Sequence, residues 1–203
     1  MITKEEIQKG QAKQTLKSLV IGPTGSGKTY FGLTFPKVAY LGTEPNGLDT
    51  AKANPHLLEN LTWAEEFIPS PTEDIKETFK RLDEAIVKAH QDKEVETLFL
   101  DNISFLSENR WEYINKSARS QKTGELDTRG MYGTLGRWMY QFTLKSLLSF
   151  KGNVVVSCHE MLEGDEAMER KLDKTTPIVA NILGGFREKV GGMFSAVLFL
   201  SSK

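Results

Sequence analysis

The run Gly22-Pro23-Thr24-Gly25-Ser26-Gly27-Lys28-Thr29 fits the pattern G-x-x-x-x-G-K-[ST], in which glycine-rich backbone curls around a polyphosphate. Its surroundings constrain the fold further. Leu16, Leu19, Val20 and Ile21 make a short apolar run that ends at Gly22, and Tyr30, Phe31 and Leu33 open a helical pattern behind it. Strand, loop and helix in that order form the unit in which such a loop works. Gly22, Gly25 and Gly27 let backbone N–H groups turn inward, and the helix N-terminus adds its partial positive charge. Lys28 is expected to reach the β and γ phosphates and the Thr29 hydroxyl to ligate magnesium, with Pro23, Thr24, Ser26 and Tyr30 completing the nucleotide contacts.

Alternating strands and helices continue down the chain. The Leu16–Ile21 run, Val38-Ala39-Tyr40-Leu41, Thr97-Leu98-Phe99-Leu100, Val154-Val155-Val156 and Ala196 to Leu200 are short apolar runs without polar alternation, as strands covered on both faces require, and a further apolar piece lies near Leu61 to Ala64. We count five firm strands of this kind. Ser70-Pro71-Thr72-Glu73 has the form of a capping box, and Ile75, Phe79, Leu82 and Ile86 follow at helical spacing, predicting an amphipathic helix over 72–90. The expectation is a three-layer α/β domain over residues 16–203 with an N-terminal extension over 1–15.

Asp101 ends the Thr97–Leu100 strand, where a carboxylate can hold magnesium-bound water or Thr29. Its neighbour is Asn102, so the catalytic glutamate often found at that next position is absent. Glu44 stands just past the Val38–Leu41 strand, at the end that faces the ligand crevice of an open parallel sheet. A base there can orient and deprotonate the water that attacks a γ-phosphate. The turn sequence Pro45-Asn46-Gly47 beside it equally suits a plain surface loop.

The phosphate loop, Glu44, the Asp101 strand end and Val154-Val155-Val156-Ser157-Cys158-His159 together resemble the ATPase core of RecA-like recombinases. More closely, the chain is similar to the short phage RecA-like ATPases that include Sak-type single-strand annealing proteins. The likeness runs from Leu16 to Leu200, and the phosphate loop is its specific part. It implies a three-layer RecA-like P-loop NTPase core with a mostly parallel sheet, ATP and Mg2+ as cofactors, and slow hydrolysis open to stimulation by DNA. It further implies single-stranded DNA and further copies of the chain as partners, with a single-strand DNA-binding protein as another, in phage recombination or replication. Carried over by position, Glu44 is the catalytic glutamate, Asp101 the magnesium-orienting aspartate and His159 a polar sensor of the γ-phosphate. From the residues alone His159 equally suits a satisfied strand-end side chain with Glu160 as partner.

The formal charge of −1 offers no global field for nucleic acid, so any contact must be local. Residues 110–145 carry seven cations against three carboxylates, interleaved with Trp111, Tyr113, Tyr132, Trp138 and Tyr140. Cations that track phosphates and rings that stack on bases are the equipment of single-strand binders. Ser117 to Gly133 reads as a polar loop, with Arg119, Lys122 and Arg129 the candidates for DNA contact. Met131, Leu135, Trp138 or Met139, and Phe142 recur at helical spacing, so the aromatics there also suit a core helix. Glu160 to Gly192 reads as a second long loop, whose Arg187 or Lys189 is the candidate for a cationic finger acting on a neighbour's γ-phosphate. The acidic stretch 59–96 reads as solvent-facing surface.

The single Cys158 forms no internal disulfide, the start Met-Ile-Thr-Lys-Glu-Glu is charged, and no apolar run nears the ~18 residues of a membrane span. These point to the cytoplasm, that of the host for a phage protein, and away from a membrane. A nucleotide or small-molecule kinase, a helicase-loader-type ATPase and a non-hydrolysing nucleotide-gated module are the competing readings.

Overall fold

The computed structural model describes residues 15–70, 74–117, 128–162 and 178–201. Strand β1 (Lys17–Gly22) leads through the phosphate loop into helix α1 (Lys28–Leu33), then β2 (Val38–Gly42), α2 (Asp49–Ala53), a 3-10 segment (Pro55–Asn60) and β3 (Leu61–Glu66). There follow α3 (Ile75–Gln91), β4 (Thr97–Asp101), α4 (Ile103–Ser117) and α5 (Thr128–Gln141), which runs into a π-helical turn (Phe142–Leu147). The chain continues with β5 (Asn153–Leu162), β6 (Ile178–Ala180), α6 (Arg187–Val190) and β7 (Ala196–Phe199). The strands form one seven-stranded sheet in the order β3-β2-β4-β5-β1-β7, all parallel, with β6 antiparallel to the end of β5.

The apolar strands are sorted by the two-residue period of extended chain. Leu19, Ile21, Ala39, Leu41, Leu98, Leu100, Val154, Val156 and Cys158 face a core shared with α3, α4 and α5. The residues between them, Val20, Val38, Tyr40, Phe99 and Val155, face a smaller core closed by Leu33 of α1, Ala51 of α2 and Leu57. Two helical layers on one sheet make the three-layer α/β fold expected for RecA-like P-loop ATPases.

Ile75, Phe79, Leu82 and Ile86 are buried as their spacing requires, but α3 starts later than the Ser70 capping box implies. Asp74 is its N-cap, the Oδ1 accepting from the Lys76 N–H at 3.0 Å. Residues 71–73 lie outside the described residues. Seven strands stand among the described residues, two more than the five expected. The piece at Leu61 is a full edge strand. Strand β6 was missed because three residues of Ile-Val-Ala carry too little pattern to stand out.

The segment 160–192 is not one loop either. Strand β5 continues to Leu162, and Glu160 and Leu162 pair with Ala180 and Ile178. Of the polar loop expected from Ser117 to Gly133, Thr128 to Gly133 belong to α5, Ser117 ends α4, and residues 118–127 lie outside the described residues. Arg129 therefore sits in the first turn of a helix, while Arg119 and Lys122 lie outside the described residues.

Candidate active site

All the candidate catalytic residues converge on the carboxyl edge of the sheet. Register does this: Gly22 of β1 lies opposite His159 of β5, and Gly42 of β2 lies opposite Asp101 of β4. The Thr43 N–H donates to the Asp101 carbonyl at 2.7 Å, so the chain leaving β2 is tied to the end of β4 and delivers Glu44 beside it. A cleft of about 320 Å³ results, walled by the phosphate loop from Thr24 to Thr29, by Glu44 to Gly47, and by His159.

The loop has the shape of a phosphate cradle. Gly25 and Gly27 stand at φ 79° and 88°, a left-handed conformation that only glycine adopts without strain, and a Cβ at either would meet no atom within 4 Å. Their backbone is open to a ligand. The Ser26 hydroxyl oxygen is buried and finds no hydrogen-bond partner among the described residues, as a group awaiting an acceptor such as a phosphate oxygen would be. Lys28 is 6% exposed, and its Nζ donates to the carbonyls of Gly22 at 2.8 Å and Pro23 at 2.7 Å. Burial lowers its pKa, and the charges of Asp101 and Glu44 oppose that shift. Tyr30 is not among the residues that line the cleft: its ring is half exposed and its hydroxyl meets His56 Nε2 at 3.3 Å.

Asp101 is buried and fully engaged. Its Oδ2 accepts from the Thr29 hydroxyl at 2.7 Å and the Tyr40 hydroxyl at 3.3 Å, and its Oδ1 accepts from the Ser157 hydroxyl. Burial pushes its pKa up against the three hydroxyl donors, so a cation at this carboxylate would relieve an electrostatic cost. Thr29 and Asp101 supply the oxygen donors that magnesium takes, and they are the residues that would hold it. Tyr40 and Ser157 went unnoticed in the sequence; a hydroxyl inside an otherwise apolar strand is the available signal, because buried polar groups need partners.

Glu44, Asn102 and His159 form a second cluster. Asn102 Nδ2 donates to Glu44 Oε2 and lies 3.0 Å from His159 Nε2, and His159 Nε2 is 3.4 Å from Glu44 Oε2. The Glu44 carboxyl is held below its ordinary range, first by the His159 hydrogen bond, with the charges of His159 and Lys28 and the Asn102 amide assisting against burial. His159 thus faces Glu44 and Asn102, and its backbone N–H donates to Ser104 Oγ at 3.0 Å. The alternative pairing with Glu160 is not what the structure has.

The remaining candidates lie elsewhere. Arg187 donates from Nη1 to Met161 Sδ at 3.2 Å, and Lys189 is exposed in a groove beside α5; neither lines the cleft. Arg110, counted among the basic residues, is a packing residue: its guanidinium lies 4.5 to 4.8 Å from the ring centroids of Trp138, Tyr113 and Phe79. The aromatics of α5 divide between its faces, Met131, Leu135 and Met139 being buried while Tyr132 and Tyr140 are 42% exposed.

Cys158 is buried in the sheet with Sγ 3.3 Å from Ser104 Oγ, and burial pushes its thiol up to about 11. Thiolate is the reactive form. Iodoacetamide at pH 8 is therefore expected to leave the native protein unlabelled and to label it fully once denatured, read by intact mass; rapid native labelling would contradict this burial.

A family model described as an AAA domain matches residues 14–203. No curated protein matches the chain. Among solved structures, a prototypical ATPase from the type III secretion system of pathogenic bacteria superposes with a TM-score of 0.51 at 10% identity, covering 91% of this chain and 51% of its own. This chain thus spans about half of that ATPase. The RadB recombinase gives 0.42 at 15% identity, covering 100% and 84%, and the assembled ATPase EscN from enteropathogenic E. coli gives 0.48 at 13%, covering 91% and 42%. The long family match, on a parallel sheet that brings a phosphate loop and an Asp101–Thr29 pair to one edge, leads to one assignment: the chain belongs to the AAA domain family of P-loop ATPases.

Proposed function

We propose that this domain binds ATP with magnesium, hydrolyses it slowly, and couples the cleft to a surface that holds single-stranded DNA, acting as an oligomer in phage recombination or replication. The observation that carries the hydrolytic half is the meeting of Lys28, Thr29, Asp101, Glu44 and His159 around one cleft. Lys28 exchanges its loop carbonyls for phosphate oxygens and supplies a point charge there. Magnesium, held by Thr29 and Asp101, would neutralise charge on the β and γ phosphates. Glu44, ionised and fixed by its neighbours, orients the attacking water and takes its proton. His159, beside Glu44, is the group that would register the γ-phosphate.

What supports the DNA half is a groove of about 710 Å³ between α5 and the segment ahead of α6. Tyr132 and Tyr140 both line it, about 12 Å apart along the helix axis at a rise of roughly 1.5 Å per residue. Between them Gly133 and Gly136 leave the helix floor bare, and Arg137 and Lys189 add charge. Stacking platforms and cations beside an open floor suit a polynucleotide strand. Of the set read from sequence, Arg129 lies in the first turn of the same helix, and Arg119 and Lys122 lie outside the described residues. Arg187 and Lys189 lie outside the cleft of their own chain, so a role on phosphate requires a neighbouring copy.

The test is phosphate release from ATP with and without an oligo(dT) strand, with gel shift on the same samples. DNA is expected to raise release and nucleotide to change the shift, and Tyr132→Ala or Tyr140→Ala each to weaken DNA binding by roughly tenfold. Release indifferent to DNA, with no shift at low salt, would remove the DNA half and leave an ATPase with another partner.

A further inference from the structure

Asn102 is fully buried, and every polar atom it has is engaged. Its backbone N–H donates to Thr43 Oγ1 at 3.0 Å and its carbonyl accepts from the same hydroxyl at 2.5 Å. Its side-chain Oδ1 accepts from the Phe105 N–H at 2.9 Å, which caps the first turn of α4. That bond fixes the amide, because the flipped orientation would set NH2 against N–H and oxygen against the Glu44 carboxylate. The two Nδ2 hydrogens are thereby aimed at Glu44 Oε2 and His159 Nε2. A ring nitrogen cannot accept from Asn102 and donate to Glu44 at once. With a neutral ring this nitrogen accepts from Asn102 at 3.0 Å, and with a charged ring it donates to Glu44 Oε2 at 3.4 Å; the Asn102–Glu44 bond is common to both.

We propose that Asn102 is the positioning residue of this site: its amide fixes Glu44 and His159 to each other and to the N-terminus of α4, setting the water-orienting carboxylate in its working place. The inference rests on the reading of Glu44 as the hydrolytic base. Asn102 itself is buried and does not line the cleft. It acts by denying Glu44 the freedom to swing on the exposed turn that follows, where Asn46 has φ 63° and Gly47 packs on the Tyr40 hydroxyl.

Asn102→Ser separates this role from simple helix capping, since serine caps as asparagine does but is too short to reach Glu44. A displacement of an aligned group by about 1 Å costs on the order of 10²-fold. We expect kcat for ATP hydrolysis to fall on that order while the Kd of a fluorescent ATP analogue stays within about twofold, the split that marks loss of an interaction used in the transition state. Glu44→Gln/Asn102→Ser is expected to be no slower than Glu44→Gln alone, because an amide that acts through Glu44 has nothing left to position.

Unchanged kcat in Asn102→Ser, beside a Glu44→Gln variant that is slowed, would overturn the proposal and leave the base reading intact. Parallel losses of kcat, affinity and thermal stability would overturn it too, as would additive effects in the double variant. If Glu44→Gln is as fast as wild type, the base reading itself has failed. Asn102→Asp, which keeps both volume and cap while replacing the donor by an acceptor, serves if the serine variant does not fold. It is expected to lose kcat in the same way, and retention of wild-type kcat there counts against the proposal.

Discussion

Glu44→Gln is expected to lower kcat for ATP hydrolysis by about 10²- to 10⁴-fold, the range that a positioned general base supplies, with little change in ATP affinity. The substitution keeps the side chain's length and an oxygen that can still accept from Asn102 Nδ2, so the turn after β2 keeps its anchor. What disappears is the negative charge that His159 and Lys28 help to maintain and, with it, the lone pair proposed to take the proton of water. Lys28→Ala makes the contrasting case. It removes the charge that holds the phosphates, so affinity goes first and hydrolysis with it. Steady-state phosphate release beside the Kd of a fluorescent ATP analogue separates the two. A Glu44→Gln enzyme within threefold of wild type would exclude Glu44 as the base, and a carboxylate elsewhere in the cleft would have to be sought.

Much of this site was legible because its parts sit at positions that secondary structure itself defines. The phosphate loop is a fixed spacing between a strand and a helix. Asp101 and Glu44 are acids at the ends of apolar runs, and parallel pairing carries such ends to one edge. Asn102 and Ser157 were not legible as partners, because nothing in a linear sequence says which strands are neighbours. Only the placement of β5 beside β4 brings Ser157 to Asp101.

The aromatics of α5 show a different limit. Their spacing revealed a core face, yet Tyr132 and Tyr140 stand on the other face of the same helix, and composition counted all of them together. Arg110 misled for the reverse reason. Its charge suggested solvent or phosphate, while the rings of Phe79, Tyr113 and Trp138 give it a cation–π setting that only tertiary packing creates.

Phe99→Ala is expected to destabilise the fold by about 3–5 kcal/mol, a large share of the roughly 5–15 kcal/mol that holds a domain together. Phe99 is fully buried on the face of β4 beneath α1 and stacks edge-on against Tyr40 with centroids 5.5 Å apart. Its ring fills a notch in α1 that exists because residue 32 is glycine: a Cβ there would lie 2.3 Å from the ring carbons. This contact seats the short phosphate-loop helix on the sheet, since the six residues of α1 are too few to be stable alone.

The cost should therefore appear twice, as a lower denaturant midpoint and as weaker ATP binding from a loop whose helix has lost its seat. Gly32→Ala in the wild type should also destabilise, by about 1–3 kcal/mol from overpacking. In the Phe99→Ala background the same methyl enters the space the ring has left, so the double variant should be more stable than the sum of the single costs. Urea unfolding of the four proteins decides the matter. Strictly additive costs would mean that the notch at Gly32 and the ring of Phe99 are independent, and that α1 is held to the sheet by its other contacts.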